Sequence, residues 1–396
     1  MNNSTTFNKG SASEIYIIFM LVVASFSSLF SYHGFGYIYW VALFFVTAHI
    51  LIHKKIRLNF DTRFIGLLML LNVSLVFLAT IKFNVDIHST ITVLVRYFAP
   101  MTYALLLISS KIRLSQNYYN TWYVILIIFT LLAFVQYFIN PNLWGVIPRE
   151  SSTLFDWSYN KPFSVYASYF RATSLLGSPQ VWGAFSAISI VALNIYKTNG
   201  IKTPYQYFLW AGAFLSGGKI VVIIFTMYMI YKLYSNFLHI ALLGFLVGLC
   251  VFLFVDPIYF ESIRVIEHVV MVDGIVEQEQ NGRLKIWVSI ISDIHSFFGG
   301  GASYIDQLDK SQGMVSESYF IQAWVEATIV LPFILLYIIL RQVLLHKRSI
   351  LHIILYLAIG GSMIASHAFS HPVFIIIWPF LLSHCRSTII STNNRY

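Results

Sequence analysis

The hydrophobic residues of this chain gather into long, nearly uninterrupted runs separated by shorter polar segments. A transmembrane helix needs roughly 20 consecutive apolar residues to cross the hydrocarbon core of a bilayer. Runs of about this length lie at 14–31, 34–52, 64–81, 91–109, 120–139, 179–196, 204–217, 219–234, 237–255, 318–340, 350–366 and 371–385. The pattern predicts an all-α, polytopic transmembrane bundle of about 12 helices. The short run 204–217 is expected to be tilted, kinked or only partly spanning.

Two long segments, 140–178 and 255–317, interrupt the apolar pattern. Loops longer than about 15 residues usually carry function or are disordered. These segments are rich in aromatic residues such as Trp157, Trp287 and Phe298, which disordered segments lack. We therefore expect two ordered loops on the external side of the bundle. The predicted parts of the chain are the N-terminal helices 1–139, the first loop 140–178, the central helices 179–254, the second loop 255–317 and the C-terminal helices 318–396.

The composition agrees with a membrane protein. The chain is 58% hydrophobic and 10% charged, whereas soluble domains have about 25% charged residues. The net charge of +9 does not indicate nucleic-acid binding, because excess Lys and Arg in membrane proteins mostly encode topology. Cys250 and Cys385 lie in apolar runs and suggest neither a disulfide framework nor a zinc site. The first apolar run has no clear cleavage site, so we expect a retained helix rather than a signal peptide.

The basic residues predict the orientation, because cytoplasmic loops carry an excess of Lys and Arg. They follow alternate runs along the chain, at Lys54, Lys55, Arg57, Arg63, Lys111, Arg113, Lys197, Lys202, Lys232, Arg341, Lys347, Arg348, Arg386 and Arg395. All of them fall on one side if the number of spans is even and both termini are cytoplasmic.

A second group of cations falls on the external side, where topology does not explain them. It comprises Arg96, Arg149, Lys161, Arg171, Lys219, Arg264, Arg283 and Lys285. Arginine grips phosphate with a planar, two-point fork, so such a cluster can hold a lipid diphosphate. The alternative is pairing with loop carboxylates or lipid headgroups. Arg96 lies inside an apolar run, where a charge is a functional candidate by default, although it can also snorkel outward. Lys219, which follows Gly217 and Gly218, is open to the same two interpretations.

Carboxylates are the candidates for a general base. Glu317 stands where the second loop re-enters the membrane, and a carboxylate at this boundary can accept a proton from a sugar hydroxyl. Glu326 lies nine residues further along the same run and must face the protein interior, where we interpret it as a partner of an arginine or a helix dipole. His367 and His371 have a metal-ligand spacing but lack a third ligand. We interpret them as interfacial histidines and predict no metal site.

Several short motifs, taken in order, resemble the O-antigen polymerase and ligase superfamily of bacterial inner membranes. They are residues 169–180 (YFRATSLLGSPQ), 216–219 (SGGK), the Gly282-Arg283 pair with Trp287, the glycine turn 299–301, and the Glu317-Ser318-Tyr319 start of a helix that contains Glu326. The resemblance covers about residues 165–340. Lys219 stands where the family often has an arginine, so the charge is kept but the fork is lost.

This resemblance implies a metal-independent, glycosyltransferase C-like enzyme that works on the periplasmic face with sugars carried by undecaprenyl diphosphate and needs no cofactor. Arg171 and Arg283 would engage the diphosphate, and Glu317 is the expected base. The expected substrate-binding residues are Lys219, Arg264, Arg96, Trp287 and Tyr319. The expected partners are the undecaprenyl-diphosphate-linked oligosaccharide, membrane lipids and a chain-length regulator.

The resemblance favours a polymerase, which moves a growing glycan onto a lipid-linked repeat unit. A ligase tends to carry a catalytic histidine at the end of the large loop, and here that place reads Ser316-Glu317-Ser318-Tyr319. A flippase for lipid-linked oligosaccharides is a non-enzymatic alternative, which should place charges along a central cavity inside the helices. An acyltransferase would need a catalytic histidine deep in a helix.

Overall fold

The structure, a computed structural model, describes residues 12–57, 60–110, 112, 114–139, 172–234, 318–347, 349–365 and 367–382. Every regular element within these ranges is a helix, so the all-α prediction is confirmed for the described part. The predicted run 237–255, nearly all of the predicted loops 140–178 and 255–317, and both cysteines lie outside the described residues. The count of about 12 helices and the two loops therefore stay predictions.

The helices before residue 140 follow the first five apolar runs. They are α1 (Ala12–Ser25), α2 (Ser27–Tyr32), α3 (Tyr37–His53), α4 (Phe60–Phe83), α5 (Ile87–Val93), a π-helical turn (Leu94–Phe98), α6 (Ala99–Ser109) and α7 (Gln116–Phe138). α5, the π turn and α6 form one continuous helix. It starts four residues before the predicted run 91–109, because the Asp86 carboxylate caps it by accepting from the Ser89 amide at 3.1 Å.

The described helices after residue 171 are α8 (Pro179–Tyr196), α9 (Thr203–Phe214), α10 (Lys219–Tyr234), α11 (Tyr319–Glu326), α12 (Val330–Leu345), α13 (Ile350–Ala365) and α14 (Trp378–Leu381). Short 3-10 helices occupy Ser174–Leu176, His367–Ser370 and Pro372–Ile376. The bounds of α8 and the start of α10 coincide with the predicted runs. α9 has 12 residues and is about 18 Å long, which agrees with a segment too short to span the bilayer on its own.

Three described helices are long and apolar enough to cross a membrane: Asp61–Phe83, Ile87–Ser109 and Gln116–Phe138. Large apolar side chains cover the outside of α3 and α4. Phe44 and Leu70 are each 70% exposed, and Ile81 is 80% exposed. Such surfaces are unfavourable in water but match a hydrocarbon solvent. The long apolar helices thus indicate a membrane protein.

α8 lies at the centre of the described bundle. Every residue from 181 to 193 is buried, and a helix buried all round belongs in a protein interior. α7, α9, α10 and α13 pack around it. The indole of Trp182 donates to the Gly212 carbonyl of α9 at 3.0 Å, and the indole of Trp122 on α7 donates to Ser189 Oγ at 3.1 Å. These bonds satisfy buried polar groups that lipid could not satisfy.

The two ends of the bundle differ in charge. At one end, Ser115 before α7 donates to Glu14 of α1, and Arg341 of α12 pairs with Asp61 of α4 at 2.6 Å. The described cations of this basic end are Lys54, Lys55, Arg57, Arg63, Lys197, Lys202, Lys232, Arg341 and Lys347. α5, α8, α10 and α11 begin at the other end, here termed the opposite end. The charge difference agrees with the predicted sorting, and the positive-inside rule would place the basic end in the cytoplasm.

The last predicted run, 371–385, crosses the bundle, but the prediction of a regular helix is wrong. The segment consists of 3-10 turns and the four-residue α14. It begins beside α11, where the rings of Phe369 and Tyr319 lie 6.1 Å apart, and reaches the basic end, where Gln342 donates to the Leu381 carbonyl at 2.5 Å. All described residues of the run are buried. Irregular backbone is tolerated at membrane depth only in such a protein-lined position.

Candidate functional site

Most of the predicted site residues lie outside the described residues. These are Arg171, Arg264, Arg283, Trp287 and Glu317. The structure describes Arg96, Lys219 and Tyr319, together with Glu326, the carboxylate interpreted as an interior partner. These residues fall into two regions, one around Arg96 and one around Lys219.

Arg96 lies on the π-helical turn between α5 and α6. It comes nine residues after the start of α5, about 14 Å along the helix axis. Arg96 therefore lies further from the start of its helix than the predicted run 91–109 implied. The turn has a local cause in Pro100, whose ring clashes with the carbonyl four residues earlier, which belongs to Arg96. π turns are often found at functional sites.

Glu326 is the last residue of α11, directly before a break in the backbone. The predicted run 318–340 is therefore two helices rather than one. Ala327, with φ −95° and ψ −88°, leaves the helical region, and Thr328 Oγ1 accepts from the amide of Val330, the first residue of α12, at 3.1 Å. Pro332 again lies four residues after the disturbed position, Thr328.

Arg96 and Glu326 form an ion pair between these two irregular stretches. Arg96 Nη1 lies 2.8 Å from Oε1 and 2.7 Å from Oε2 of the carboxylate. The Tyr97 hydroxyl donates to Oε2 at 2.7 Å, and Gln322 Nε2 donates to Oε1 at 3.1 Å. The Glu326 side chain is 2% exposed and that of Arg96 is 24% exposed. The prediction that Glu326 faces inward as the partner of an arginine is confirmed. Arg96 points to this partner and does not simply snorkel outward.

Tyr319 supports this network from one side. It opens α11 after the Ser318 N-cap and is almost fully buried. Its ring centroid lies 5.5 Å from that of Tyr97 and 6.1 Å from that of Phe369. Tyr319 thus joins the crossing segment 367–382 to the Arg96 network. Its predicted role in substrate binding stays a prediction.

Lys219 begins α10 and is exposed, directly after a tight turn. Within the turn the Gly218 amide donates to Ser216 Oγ at 3.2 Å, and Gly217 has a φ of +59°. Ser216 fits against Gly183 of α8, where an added Cβ would come within 2.5 Å of Ser216 Oγ. The turn is therefore fixed to the central helix.

The end of the first predicted loop is attached to this same turn. The Ala172 amide donates to the Leu215 carbonyl at 2.8 Å. Ala172 directly follows Arg171 in the sequence, although Arg171 itself lies outside the described residues. Two of the stretches that carry the family resemblance, 169–180 and 216–219, thus meet in their described parts.

A buried glutamine, which the sequence analysis did not single out, holds residues 172–176 in place. Gln136 Oε1 on α7 accepts from the amides of Thr173 and Ser174, both at 2.9 Å. Ser174 Oγ donates to the Phe129 carbonyl at 2.7 Å, and the residue has a φ of +51°. An amide in an otherwise apolar helix is a visible signal, because such a group in a membrane needs a partner.

α13 lies between the two regions. Near its end, Gly361 faces Ile220 of α10, where an added Cβ would lie 3.6 Å from Ile220 Cδ1. The Met363 carbonyl lies 3.5 Å from Ser318 Oγ at the start of α11. The starts of α10 and α11 therefore flank the same helix end.

His371 does not behave as an interfacial histidine, so that interpretation is wrong. It is buried and caps the 3-10 helix after it, with Nδ1 accepting from the Val373 amide at 3.2 Å. Its Nε2 lies 2.8 Å from Ser28 Oγ of α2. Among the residues that the structure describes, no group of three His, Cys, Asp or Glu side chains is placed to hold a metal ion.

No protein-family model, curated protein or solved structure matches this chain.

Proposed function

We propose that this protein is a membrane-embedded polysaccharide polymerase of the O-antigen polymerase kind. It would transfer a growing glycan from undecaprenyl diphosphate onto a lipid-linked repeat unit at the opposite end of the bundle, on the periplasmic face of a bacterial inner membrane. The observation that carries the proposal is the attachment of Ala172 to Leu215. It supports a single site that combines Arg171 and Lys219, two of the cations predicted to bind the diphosphate.

The chemistry needs few groups. The bond between the sugar and the diphosphate already has a good leaving group, so no nucleotide is required. Cations would stabilise the charge on the departing diphosphate, and a carboxylate would accept the proton of the attacking sugar hydroxyl. Both oxygens of Glu326 already accept two hydrogen bonds each. This leaves Glu317, directly before the Ser318 N-cap, as the better candidate for the base.

Deleting the gene for this chain in its host tests the proposal. A polymerase deletion should leave each acceptor with a single repeat unit instead of a ladder on a glycan-stained gel. Complementation with Arg171→Ala or Arg283→Ala should fail to restore the ladder, whereas Lys82→Ala, which changes a cation at the same end, should restore it. A full ladder in the deletion strain would refute the proposal.

A flippase remains the second candidate, because the Arg96–Glu326 pair places charge inside the helices, as transport of a polar saccharide requires. The same experiment separates the two functions. Loss of a flippase, or of a ligase, should remove the attached glycan completely, whereas loss of a polymerase leaves single repeats.

A further inference from the structure

The guanidinium of Arg96 uses only one of its nitrogens to bind Glu326. Both hydrogen bonds to the carboxylate come from Nη1, although a guanidinium has five N–H donors on three nitrogens. Within the described residues, the hydrogen bonds that the guanidinium donates to this carboxylate leave from Nη1 and from neither Nε nor Nη2. A quarter of the side chain remains accessible, at 24%. Arg96 thus presents an oriented edge with unused donors.

A second polar group in the same network lacks a partner. Gln322 Nε2 donates to the carboxylate of Glu326, which fixes the orientation of the amide because a carboxylate accepts hydrogen bonds. Its Oε1 is buried and has no hydrogen-bond partner in the described part of the chain. Buried acceptors are usually satisfied, so each exception calls for an explanation. A ligand hydroxyl would satisfy this one.

Both side chains lean toward the opposite end of the bundle. The Cα–Cβ bonds of helical residues tilt toward the helix N-terminus. The helices that carry Arg96 and Gln322 both begin at the opposite end. Donors for an anion and an acceptor for a hydroxyl therefore lie on the side where the proposed substrate would enter.

We propose that Arg96 and Gln322 bind the sugar–phosphate portion of a lipid-linked saccharide, with Glu326 and Tyr97 as the positioning residues of the guanidinium. The Nε and Nη2 edge of Arg96 would hold a phosphate oxygen, and Gln322 Oε1 would accept from a sugar hydroxyl. This extends the site from the surface turns into the membrane region. The identity of the ligand rests on the proposed function, whereas the anion site rests on the geometry of the ion pair.

A binding assay with the whole protein in phosphatidylcholine nanodiscs tests the site directly. The probes are fluorescent farnesyl diphosphate and its N-acetylglucosamine derivative. Arg96→Lys keeps the charge but loses the fork, and we expect affinity to fall about ten- to a hundredfold, the equivalent of one charge-assisted hydrogen bond. Gln322→Leu should remove the preference of the wild type for the sugar-bearing probe. Equal affinity of the wild type for both probes would overturn the role of Gln322.

Glu326→Gln separates positioning from simple charge attraction. If Arg96 acted only as a positive charge, removal of the neighbouring negative charge should strengthen binding. If Glu326 orients the guanidinium, the probe should bind about tenfold more weakly. The matched control is Arg341→Gln at the ion pair with Asp61 at the basic end. It should leave the affinity for both probes unchanged.

A charge swap separates a binding role from a structural one. Arg96→Glu combined with Glu326→Arg re-forms the pair but moves the guanidinium from the π turn to α11. We expect this variant to recover thermal stability relative to Arg96→Glu alone, but not the affinity for the probe. Recovery of both would show that the pair is only structural and would overturn the proposal.

Two further outcomes identify the ligand. Phosphatidylglycerol in the nanodiscs should compete weakly; if it displaces the probe through Arg96, the occupant is a bilayer headgroup and the assignment to a saccharide fails. If the deletion strain keeps its glycan ladder while Arg96→Lys weakens probe binding, the proposed function fails and the anion site stands. Loss of the ladder in that strain with unchanged probe binding by Arg96→Lys refutes only the anion site.

Discussion

Removing either member of the Arg96–Glu326 pair should destabilise the protein, and the two losses should be unequal. Arg96→Met leaves the carboxylate of Glu326, which is 2% exposed, with only the Tyr97 hydroxyl and the Gln322 amide as donors. An unpaired buried charge of this kind costs about 3–5 kcal/mol. Glu326→Gln instead leaves the Arg96 guanidinium without its carboxylate, and this partly accessible side chain can turn toward water or lipid headgroups. We expect this smaller loss to be about 1–3 kcal/mol.

Thermal unfolding in detergent, followed by tryptophan fluorescence, measures both single variants and the double variant. The double variant, Arg96→Met with Glu326→Gln, removes both charges. The amide oxygen at residue 326 can still accept from Gln322, and the amide NH2 group can donate to the Tyr97 hydroxyl, which accepts as well as donates. The double variant should therefore be more stable than Arg96→Met alone, which makes the coupling between the two sites favourable to the native pair. Equal losses in the single variants, or additive losses in the double variant, would refute the assignment of a buried carboxylate held by a partly accessible arginine.

The other contacts give three further predictions, each measured as the change in thermal unfolding. Gln136→Leu leaves the buried amides of residues 173 and 174 without an acceptor and should lower the stability by about 1–3 kcal/mol. We also expect faster tryptic cleavage after residue 171. An unchanged digestion pattern would contradict the role of Gln136 in holding this segment. Gly183→Ala forces a Cβ against Ser216 Oγ and should cost about 1–3 kcal/mol, whereas the control Gly66→Ala meets no atom within 4 Å and should be neutral or stabilising. His371→Ala removes a helix cap worth about 0.5–2 kcal/mol and the contact with α2; a loss no larger than that of an exposed histidine such as His33→Ala would contradict it.

The regular part of the bundle is largely readable from the sequence. The bounds of α8 and the start of α10 follow directly from apolar runs, because a helix in lipid needs little beyond length and hydropathy. Hydropathy alone places the start of α5 too late. Its first turn is polar, and the Asp86 cap that begins it is recognised only from side-chain chemistry.

The ion pair illustrates what a single sequence does not contain. Both residues lie in apolar runs, where a charge needs a partner or a route to water, and the sequence leaves Glu326 to pair with an arginine or a helix dipole. Nothing local selects Arg96 among the 25 Lys and Arg residues of the chain, because the two side chains are separated by 230 positions. The pairing is a consequence of how α11 packs beside the π turn.

The prolines carry a signal that hydropathy hides. Pro100 stands four residues after Arg96, Pro332 stands four residues after Thr328, and Pro372 opens the 3-10 crossing. Pro100 and Pro332 lie inside apolar runs, where proline removes an amide donor and clashes with a carbonyl one turn earlier. The π turn and the break before α12 are the results, whereas Pro372 stands at the first position of its 3-10 helix, where proline is tolerated. Prolines inside the predicted spans therefore mark the first two irregular stretches but do not explain the third.

The π turn is linked to both other irregular stretches. The Arg96–Glu326 pair joins it to the break before α12, and the ring of Tyr319 lies near those of Tyr97 and of Phe369 in the crossing segment. In lipid, irregular backbone leaves N–H and C=O groups without hydrogen-bond partners, which destabilises the fold. Such backbone therefore persists only where other protein groups bond to it. Here the side chains of Thr328 and His371 accept hydrogen bonds from the backbone amides of Val330 and Val373, which the interrupted helices leave without a helical partner. A bundle that needed only to be stable could use unbroken helices throughout. The irregular backbone is concentrated around a partly accessible arginine, which is the distribution expected when strained backbone is retained to position a functional group.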